Sequence, residues 1–187
     1  ELADAEGVGD RVQFLKGDAS DIGASGSSCY DAIIMHTLLS HVEDPSKVLA
    51  SARSLAQGGL TKLIVMDGDY GSLTYAHQDD PSFGRSMDVA LKDATFAQPD
   101  VMRNLPALLA STGWTLEASS ANCVSEVGAS ASYWVSFAQA YMPRVKSSGM
   151  IDAANVDAWW DCQQRNIASG TFFAHAVYYT MIARASL

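Results

Sequence analysis

The sequence predicts an α/β protein with a Rossmann-like, doubly wound sheet that is mostly parallel and closes with an antiparallel pair of strands. Two observations carry this prediction. Short apolar runs, typical of strands buried on both faces, alternate with segments of helical periodicity over the first two thirds of the chain. Two longer strands are then predicted, a somewhat irregular one at 114–127 and a final one at 171–185 that is rich in phenylalanine, tyrosine and valine.

The composition favours one domain over residues 1–187 that acts on a small molecule. Of the 187 residues, 48% are apolar and 18% are charged, so the chain can bury a substantial core. The net charge of −9, with no cluster of lysine and arginine, disfavours nucleic acid as a partner. Because no apolar run approaches the roughly 20 residues of a membrane span and the first residues do not resemble a signal peptide, we expect a cytoplasmic protein without membrane attachment.

Metal and disulfide chemistry are not expected. Cys29, Cys123 and Cys162 are odd in number and far apart, without the paired spacing of a disulfide framework or a zinc site. The four histidines also lack metal-ligand spacing.

The first part of the chain predicts a helix end, two strands and a second helix. Residues 1–10 are typical of the end of a helix, and the alternating residues 12–15 predict a short strand that stops at a turn. The apolar run 30–35 predicts a buried strand. A helix should follow, with Asp44 as its N-cap and Pro45 as its first residue.

The middle of the chain is less regular. A loop rich in glycine and serine is expected over residues 23–28. The run 62–66 predicts a third buried strand that ends in the polar cluster 67–70. Residues 71–99 look irregular, and residues 100–112 then show helical periodicity.

Two helices are predicted late in the chain, at 132–146 and 152–168. They form a helical insertion at about 131–169, between the last two strands.

Four segments, in their order and spacing, resemble class I S-adenosylmethionine-dependent methyltransferases. They read RVQFLKGDA at 11–19, YDAII at 30–34, HTLLSHVEDP at 36–45 and LAQGG at 55–59. The resemblance covers roughly residues 5–115 and is closest to the branch that includes the ubiquinone and menaquinone methyltransferases. It implies the class I type of sheet and S-adenosylmethionine as cofactor.

The resemblance also implies a cofactor site at strand ends. Asp18 would accept a hydrogen bond from the adenine amino group, and the Ala19 amide would meet a ring nitrogen. His36, Thr37 and Leu38 would line the methionine and sulfonium side. Asp18 has a simpler explanation, because aspartate readily caps a turn after glycine.

Candidate catalytic and substrate residues each have two explanations. His41 could be a general base or could only pack the start of the next helix. Asp69 and Tyr70, after the fifth strand of the family fold, could face a substrate or water. Arg103 could meet an anionic substrate or form a structural salt bridge.

Tyr133 and Trp134 begin the first late helix, whose aromatic face could form a lid over an apolar substrate. Aromatic residues at helical spacing are more often core or dimer contacts.

The sequence departs from the family at its start, because neither the glycine-rich cofactor loop nor the second strand with its acidic residue is recognisable. The missing strands would lie at the centre of the sheet. We expect a truncated chain, or one that assembles its sheet differently, with exposed strand edges that favour a homodimer through those edges or the late helices.

Two functions follow. The first is methyl transfer to a small-molecule acceptor, which this chain would catalyse if the missing segment is present or is supplied in trans. The second is a non-catalytic α/β scaffold or oligomerisation protein. Nucleotide-linked oxidoreductase chemistry is less well supported, because the dinucleotide fingerprint is also absent.

Overall fold

The computed structural model describes residues 2–25 and 29–186 and contains a four-stranded mixed sheet in the order β1-β2-β4-β3. The strands are β1 (Ala32–His36), β2 (Lys62–Tyr75), β3 (Trp114–Val127) and β4 (Phe173–Ala185). The helices are α1 (Leu2–Ala5), α2 (Pro45–Ser54), α3 (Pro81–Thr95), α4 (Val101–Ser111), α5 (Tyr133–Ser148) and α6 (Ala153–Ser169). Short 3₁₀ helices span Gly9–Arg11, Ile22–Ser25, Leu39–His41 and Gly58–Leu60. No helix in these described ranges is long and apolar enough to cross a membrane.

The strand pairing confirms the predicted α/β sheet with its antiparallel closing pair, and the sheet is mixed, with one parallel pairing among the three. β1 runs parallel to β2, and β4 runs antiparallel to both β2 and β3. The sheet stays open, and no described strand pairs with the outer edge of β1. The register of β2 against β4 shifts between Asp69 and Thr74, which marks a bulge.

Local sequence explains where the helix after β1 begins. The Asp44 carboxylate accepts a hydrogen bond from the Lys47 N–H at 3.0 Å, and Pro45 occupies the first turn, where its missing N–H costs nothing. Val48, Leu49 and Ala52 on one face of α2 are buried.

Two hydrophobic cores lie on opposite faces of the sheet. On β4, Ala174, Ala176 and Tyr178 belong to one core, which α3, α5 and α6 cover. Met181 and Ala183, of opposite parity along the strand, belong to the other core, under α2 and α4. Each half of β4 is therefore buried on a different face.

One part of the sheet has no helix over it among the described residues. Ile34, Ile64 and Ile182 are aligned across β1, β2 and β4, and therefore share one face. Ile34 is 69% exposed, and the other two are partly buried. We call this the open sheet face.

Two expectations are wrong. Residues 12–15 form no strand: they are exposed and extended, with Phe14 81% exposed, because a strand needs a hydrogen-bonding neighbour and none of the described strands lies beside them. The third buried strand does not end at residues 67–70 but continues to Tyr75, and part of the predicted irregular stretch 71–99 is α3. The loop expected over 23–28 lies outside the described residues at positions 26–28.

Candidate functional site

The loop after β1 carries two of the expected cofactor residues, and its backbone is unusual. Thr37 has φ +45°, in the left-handed region that β-branched residues rarely adopt. Its N–H donates to the Met66 carbonyl at 2.8 Å, and its hydroxyl lies 3.2 Å from His36 Nδ1. Strain of this kind persists only where neighbouring structure imposes it, and it is common at ligand sites.

A buried carboxylate fixes this loop. Asp67, in β2, is fully buried and accepts hydrogen bonds from the Ser40 N–H at 3.0 Å, the Ser40 hydroxyl at 2.9 Å and the Gly68 N–H at 2.8 Å. Three donors offset the cost of burying a carboxylate. Asp67 therefore ties the loop after β1 to the neighbouring strand.

The end of β1, the middle of β2 and the strands β3 and β4 line a pocket of about 380 Å³, which we call the strand-end pocket. Its polar lining side chains are His36, Thr37, Asn122, Tyr133, Tyr178 and Thr180. Met66 and Val124 supply apolar surface. Three residues expected at the site, His36, Thr37 and Tyr133, therefore come together here.

Tyrosine hydroxyls form the far wall of this pocket. Tyr133 Oη lies 2.8 Å from Tyr178 Oη, and the Tyr178 hydroxyl also interacts with that of Tyr70. Burial, followed by the hydrogen bonds to Tyr133 and Tyr70, raises the pKa of Tyr178 well above its ordinary value. Burial likewise raises the pKa of Tyr70. These phenols stay neutral near pH 7, so they donate and accept hydrogen bonds but do not act as bases.

The Glu126 carboxylate holds Tyr133 in place. It accepts hydrogen bonds from the N–H groups of Ser132, Tyr133 and Trp134, at 2.9, 3.0 and 2.8 Å, at the N-terminus of α5. Burial raises the pKa of Glu126, but the hydrogen bonds outweigh that effect and lower it overall.

Asp18 and Ala19 lie elsewhere. The Asp18 carboxylate accepts hydrogen bonds from the Ser20 N–H at 2.8 Å and hydroxyl at 2.6 Å, which lower its pKa. Asp18 therefore caps a turn, as the simpler of its two explanations predicts. Asp18 and Ala19 also line a pocket of about 650 Å³, and within the described ranges the Ala19 N–H has no hydrogen-bond acceptor.

The remaining expected residues are not among those that line the strand-end pocket. Asp69 binds Arg103, with Arg103 Nε 2.9 Å from Oδ1, which raises the pKa of the guanidinium. Leu38 is half-buried against the core under α2 and α4. His41 packs its ring 5.0 Å from that of Phe96.

Two aromatic residues expected at the substrate site are core residues. The Tyr70 ring stacks on Phe96 with 3.5 Å between centroids and meets the Tyr178 ring edge-on at 6.1 Å, and its hydroxyl interacts with that of Tyr178. Trp134 is fully buried and donates its indole N–H to the Val124 carbonyl at 3.0 Å.

Sequence reasoning did not identify Asn122, Tyr178 and Thr180 as lining residues. Tyr178 and Thr180 alternate on β4, and a two-residue period on a final strand was the available signal. Asn122 had no signal, because the pairing that sets it opposite Tyr178 joins residues 56 positions apart and is not visible in sequence.

The comparisons with known proteins concern the family and the fold of the chain. Residues 1–63 match a family model described as a methyltransferase domain. No curated protein matches the chain by sequence. Among solved structures, a candidate methyltransferase from Bacillus halodurans is 13% identical with a TM-score of 0.61, and the match covers 99% of this chain and 77% of that one.

Two further structures resemble the chain at a similar level. The YcgJ protein from Bacillus subtilis is 13% identical, with a TM-score of 0.55 and coverage of 99% and 75%. A candidate sarcosine dimethylglycine methyltransferase from Galdieria sulphuraria is 14% identical, with a TM-score of 0.52 and coverage of 99% of this chain but only 63% of that one.

The chain therefore has the class I methyltransferase fold, with an open four-stranded sheet, and its first third matches methyltransferase-domain sequence. The ubiquinone and menaquinone branch stays a prediction.

The residues present fit S-adenosylmethionine in part. The Asp18 carboxylate beside the free Ala19 N–H supplies the acceptor and donor that the edge of an adenine requires. His36 and Thr37 face an open pocket at the carboxyl end of β1, where ligands bind in such sheets. None of the described connections from strand to helix is rich in glycine.

Proposed function

We propose that this chain carries out S-adenosylmethionine-dependent methyl transfer to a small-molecule acceptor. The observation that carries the proposal is the strand-end pocket, where His36 and Thr37 at the end of β1 meet Tyr133 and Tyr178. Open space beside His36 and Thr37, the residues expected next to a sulfonium, supports the proposal because an acceptor could bind there. The methyltransferase-domain match over residues 1–63 supports the reaction class.

In this proposal the two ends of the cofactor have separate binding residues. Asp18 and Ala19 hold the adenine edge, and His36, Thr37 and Leu38 line the methionine and sulfonium side. When bound, the cofactor supplies an electrophilic methyl group. Asp67 and Ser40 keep the loop after β1 in place, so that the loop does not have to be ordered when a ligand binds.

On the acceptor side, Tyr133 contacts the substrate, and Tyr70 and Trp134 support it from the core. Asp69 and Arg103 neutralise each other, which leaves neither free to select a charged substrate. A general-base role for His41 requires its ring to leave Phe96 and turn toward the acceptor. His41→Ala would then lower kcat, whereas a packing role predicts that His41→Phe keeps full activity.

A second candidate is a scaffold that assembles through its sheet. The open sheet face favours it, because Ile34 lies exposed on an edge strand that no described strand covers. Light scattering tests it: a stable dimer that Ile34→Lys dissociates, in a chain without affinity for S-adenosylhomocysteine, would replace the enzymatic proposal.

Calorimetric titration of S-adenosylhomocysteine into the chain tests the proposed function. We expect saturable binding that Asp18→Ala weakens at least tenfold, a loss of about 1.4 kcal/mol. Asp31→Ala, at another exposed aspartate, is the matched control and should bind as the parent chain does. Absence of binding at millimolar concentration would contradict the proposal.

A further inference from the structure

We infer that the strand-end pocket binds an uncharged, mostly apolar acceptor through a hydroxyl or carbonyl group. This inference rests on the proposed methyltransferase function, which it deepens by naming the substrate class.

Among the residues that the structure describes, those that line the pocket include no aspartate, glutamate, lysine or arginine. Four other pockets in the described part of the chain differ from it in this respect. Each of those has at least one charged lining residue: Lys92, Arg165, Lys47 and Lys16 are examples, one from each pocket. The strand-end pocket thus differs from the other pockets in charge, although the chain as a whole carries 33 charged side chains, 12 basic and 21 acidic.

The polar lining includes uncharged amide and hydroxyl groups, some of which are available to form a hydrogen bond with a ligand. Within the residues that the structure describes, the side chains of Asn122 and Thr180 make no hydrogen bond. An amide and a hydroxyl each donate and accept, so both can satisfy a hydroxyl or a carbonyl. The Tyr133 and Tyr178 hydroxyls, 2.8 Å apart, add a neutral pair at the wall.

Desolvation decides between neutral and charged acceptors. An ammonium that enters this pocket loses water and meets no carboxylate among the described lining residues, and an anion meets neither lysine nor arginine there, so each loses solvation without an ion pair to a permanently charged side chain. A neutral hydroxyl or carbonyl instead exchanges water for the free amide and hydroxyl, while its apolar body covers Met66 and Val124.

Three probes of matched shape test the inference: 2-phenylethanol is neutral, 2-phenylethylamine is a cation and phenylacetate is an anion at pH 7. Each is titrated into the full chain, with and without S-adenosylhomocysteine, while amide chemical shifts of Asn122 and Thr180 are followed. We expect saturable shifts for 2-phenylethanol and at least tenfold weaker binding of both charged probes.

Variants separate the pocket from general effects. Thr180→Val should weaken 2-phenylethanol binding about 3- to 10-fold by removing one hydrogen-bonding group. Thr115→Val, on β3 and outside the pocket lining, is the control and should leave it unchanged. Thr180→Lys should bring phenylacetate to at least the affinity of 2-phenylethanol, because it supplies the missing counter-charge.

Binding of a charged probe as tightly as the neutral one would overturn the inference, and so would the lack of a saturable shift with any probe. The titration with S-adenosylhomocysteine tests the proposed reaction independently of the acceptor class. If it binds and no probe does, only the acceptor class fails. If 2-phenylethanol binds and S-adenosylhomocysteine does not, the proposed reaction fails while the pocket chemistry stands.

Discussion

The Asp67 carboxylate accepts hydrogen bonds from both the N–H and the hydroxyl of Ser40, at 3.0 and 2.9 Å, and both residues are fully buried. This pair joins β2 to the loop after β1, three residues beyond Thr37. The site therefore depends on a contact between two residues that do not themselves line the strand-end pocket.

Removing this contact should cost stability. We expect Asp67→Asn to lower the free energy of unfolding by about 1–3 kcal/mol, because an amide nitrogen then faces a buried donor. Chemical denaturation measures the loss, and Asp93→Asn on exposed α3 surface should change stability by less than about 0.5 kcal/mol. In a double-mutant cycle with Ser40→Ala, additive effects would contradict the direct contact.

The left-handed backbone of Thr37 should lower the free energy of unfolding, because threonine rarely adopts that conformation. Asparagine tolerates the left-handed region better than threonine, so Thr37→Asn should raise the free energy of unfolding by up to about 1 kcal/mol. The same variant should bind S-adenosylhomocysteine more weakly, since the hydroxyl beside His36 is lost. Thr115→Asn, at an ordinary strand position, should be destabilised instead. A Thr37→Asn chain that loses stability would contradict the strain.

Asp88 should make stability depend on pH. Burial raises its pKa from 3.8 to about 6, against the hydrogen bonds from Thr74 and the Tyr75 N–H that lower it. The folded state thus binds this proton more tightly than the unfolded chain does. Its contribution to stability is complete below pH 3.8, falls by about 3 kcal/mol as pH rises to 6, and is constant above.

The variant Asp88→Asn isolates this effect, because an amide keeps an acceptor for the Tyr75 N–H and a donor for the Thr74 hydroxyl. It should be about 1–3 kcal/mol more stable than the parent at pH 8, and the difference should vanish toward pH 4. Urea unfolding of both chains from pH 4 to 8 measures it. A difference that does not change with pH would contradict the raised pKa.

Glu126 should stabilise the start of α5. We expect Glu126→Gln to cost about 1 kcal/mol at pH 7, because the variant loses charge-assisted bonds to three backbone N–H groups. Since the folded pKa is lowered, this stabilisation exists above the usual glutamate range and is lost as pH falls through the folded pKa.

Hydrogen exchange at residues 132–134 provides the local measurement for Glu126→Gln. Exchange there should accelerate, while Glu43→Gln at an exposed site should leave it unchanged. Equal exchange in both variants would show that the carboxylate does not cap the helix.

Local patterns predicted the elements that local physics determines. The cap formed by Asp44, the period of α2 and the apolar runs of β1 and β4 are encoded within a few residues, and all four appear as expected. Residues 12–15 alternate like a strand, but strand formation needs a neighbour that a local pattern cannot guarantee.

The site was less predictable for a related reason. His36 and Thr37 follow a strand, which marks them in sequence. Tyr178 and Thr180 reach the same pocket only because β4 is antiparallel to β2 in one particular register. A change of one residue in that register would turn both side chains to the other face. The extension of β2 to Tyr75 was hidden by the polar cluster at residues 67–70, which suggested a strand end and instead lies within the strand.

The most direct test of the central claim is to map S-adenosylhomocysteine on the chain by amide chemical shifts. We predict saturable changes at Asp18 and Ala19 and at residues 36–38, with none at residues 114–118 of β3. Saturation at both segments with one dissociation constant would show that a single ligand spans them. No change at millimolar ligand, or changes confined to other parts of the sheet, would contradict the assignment of this chain as a methyltransferase.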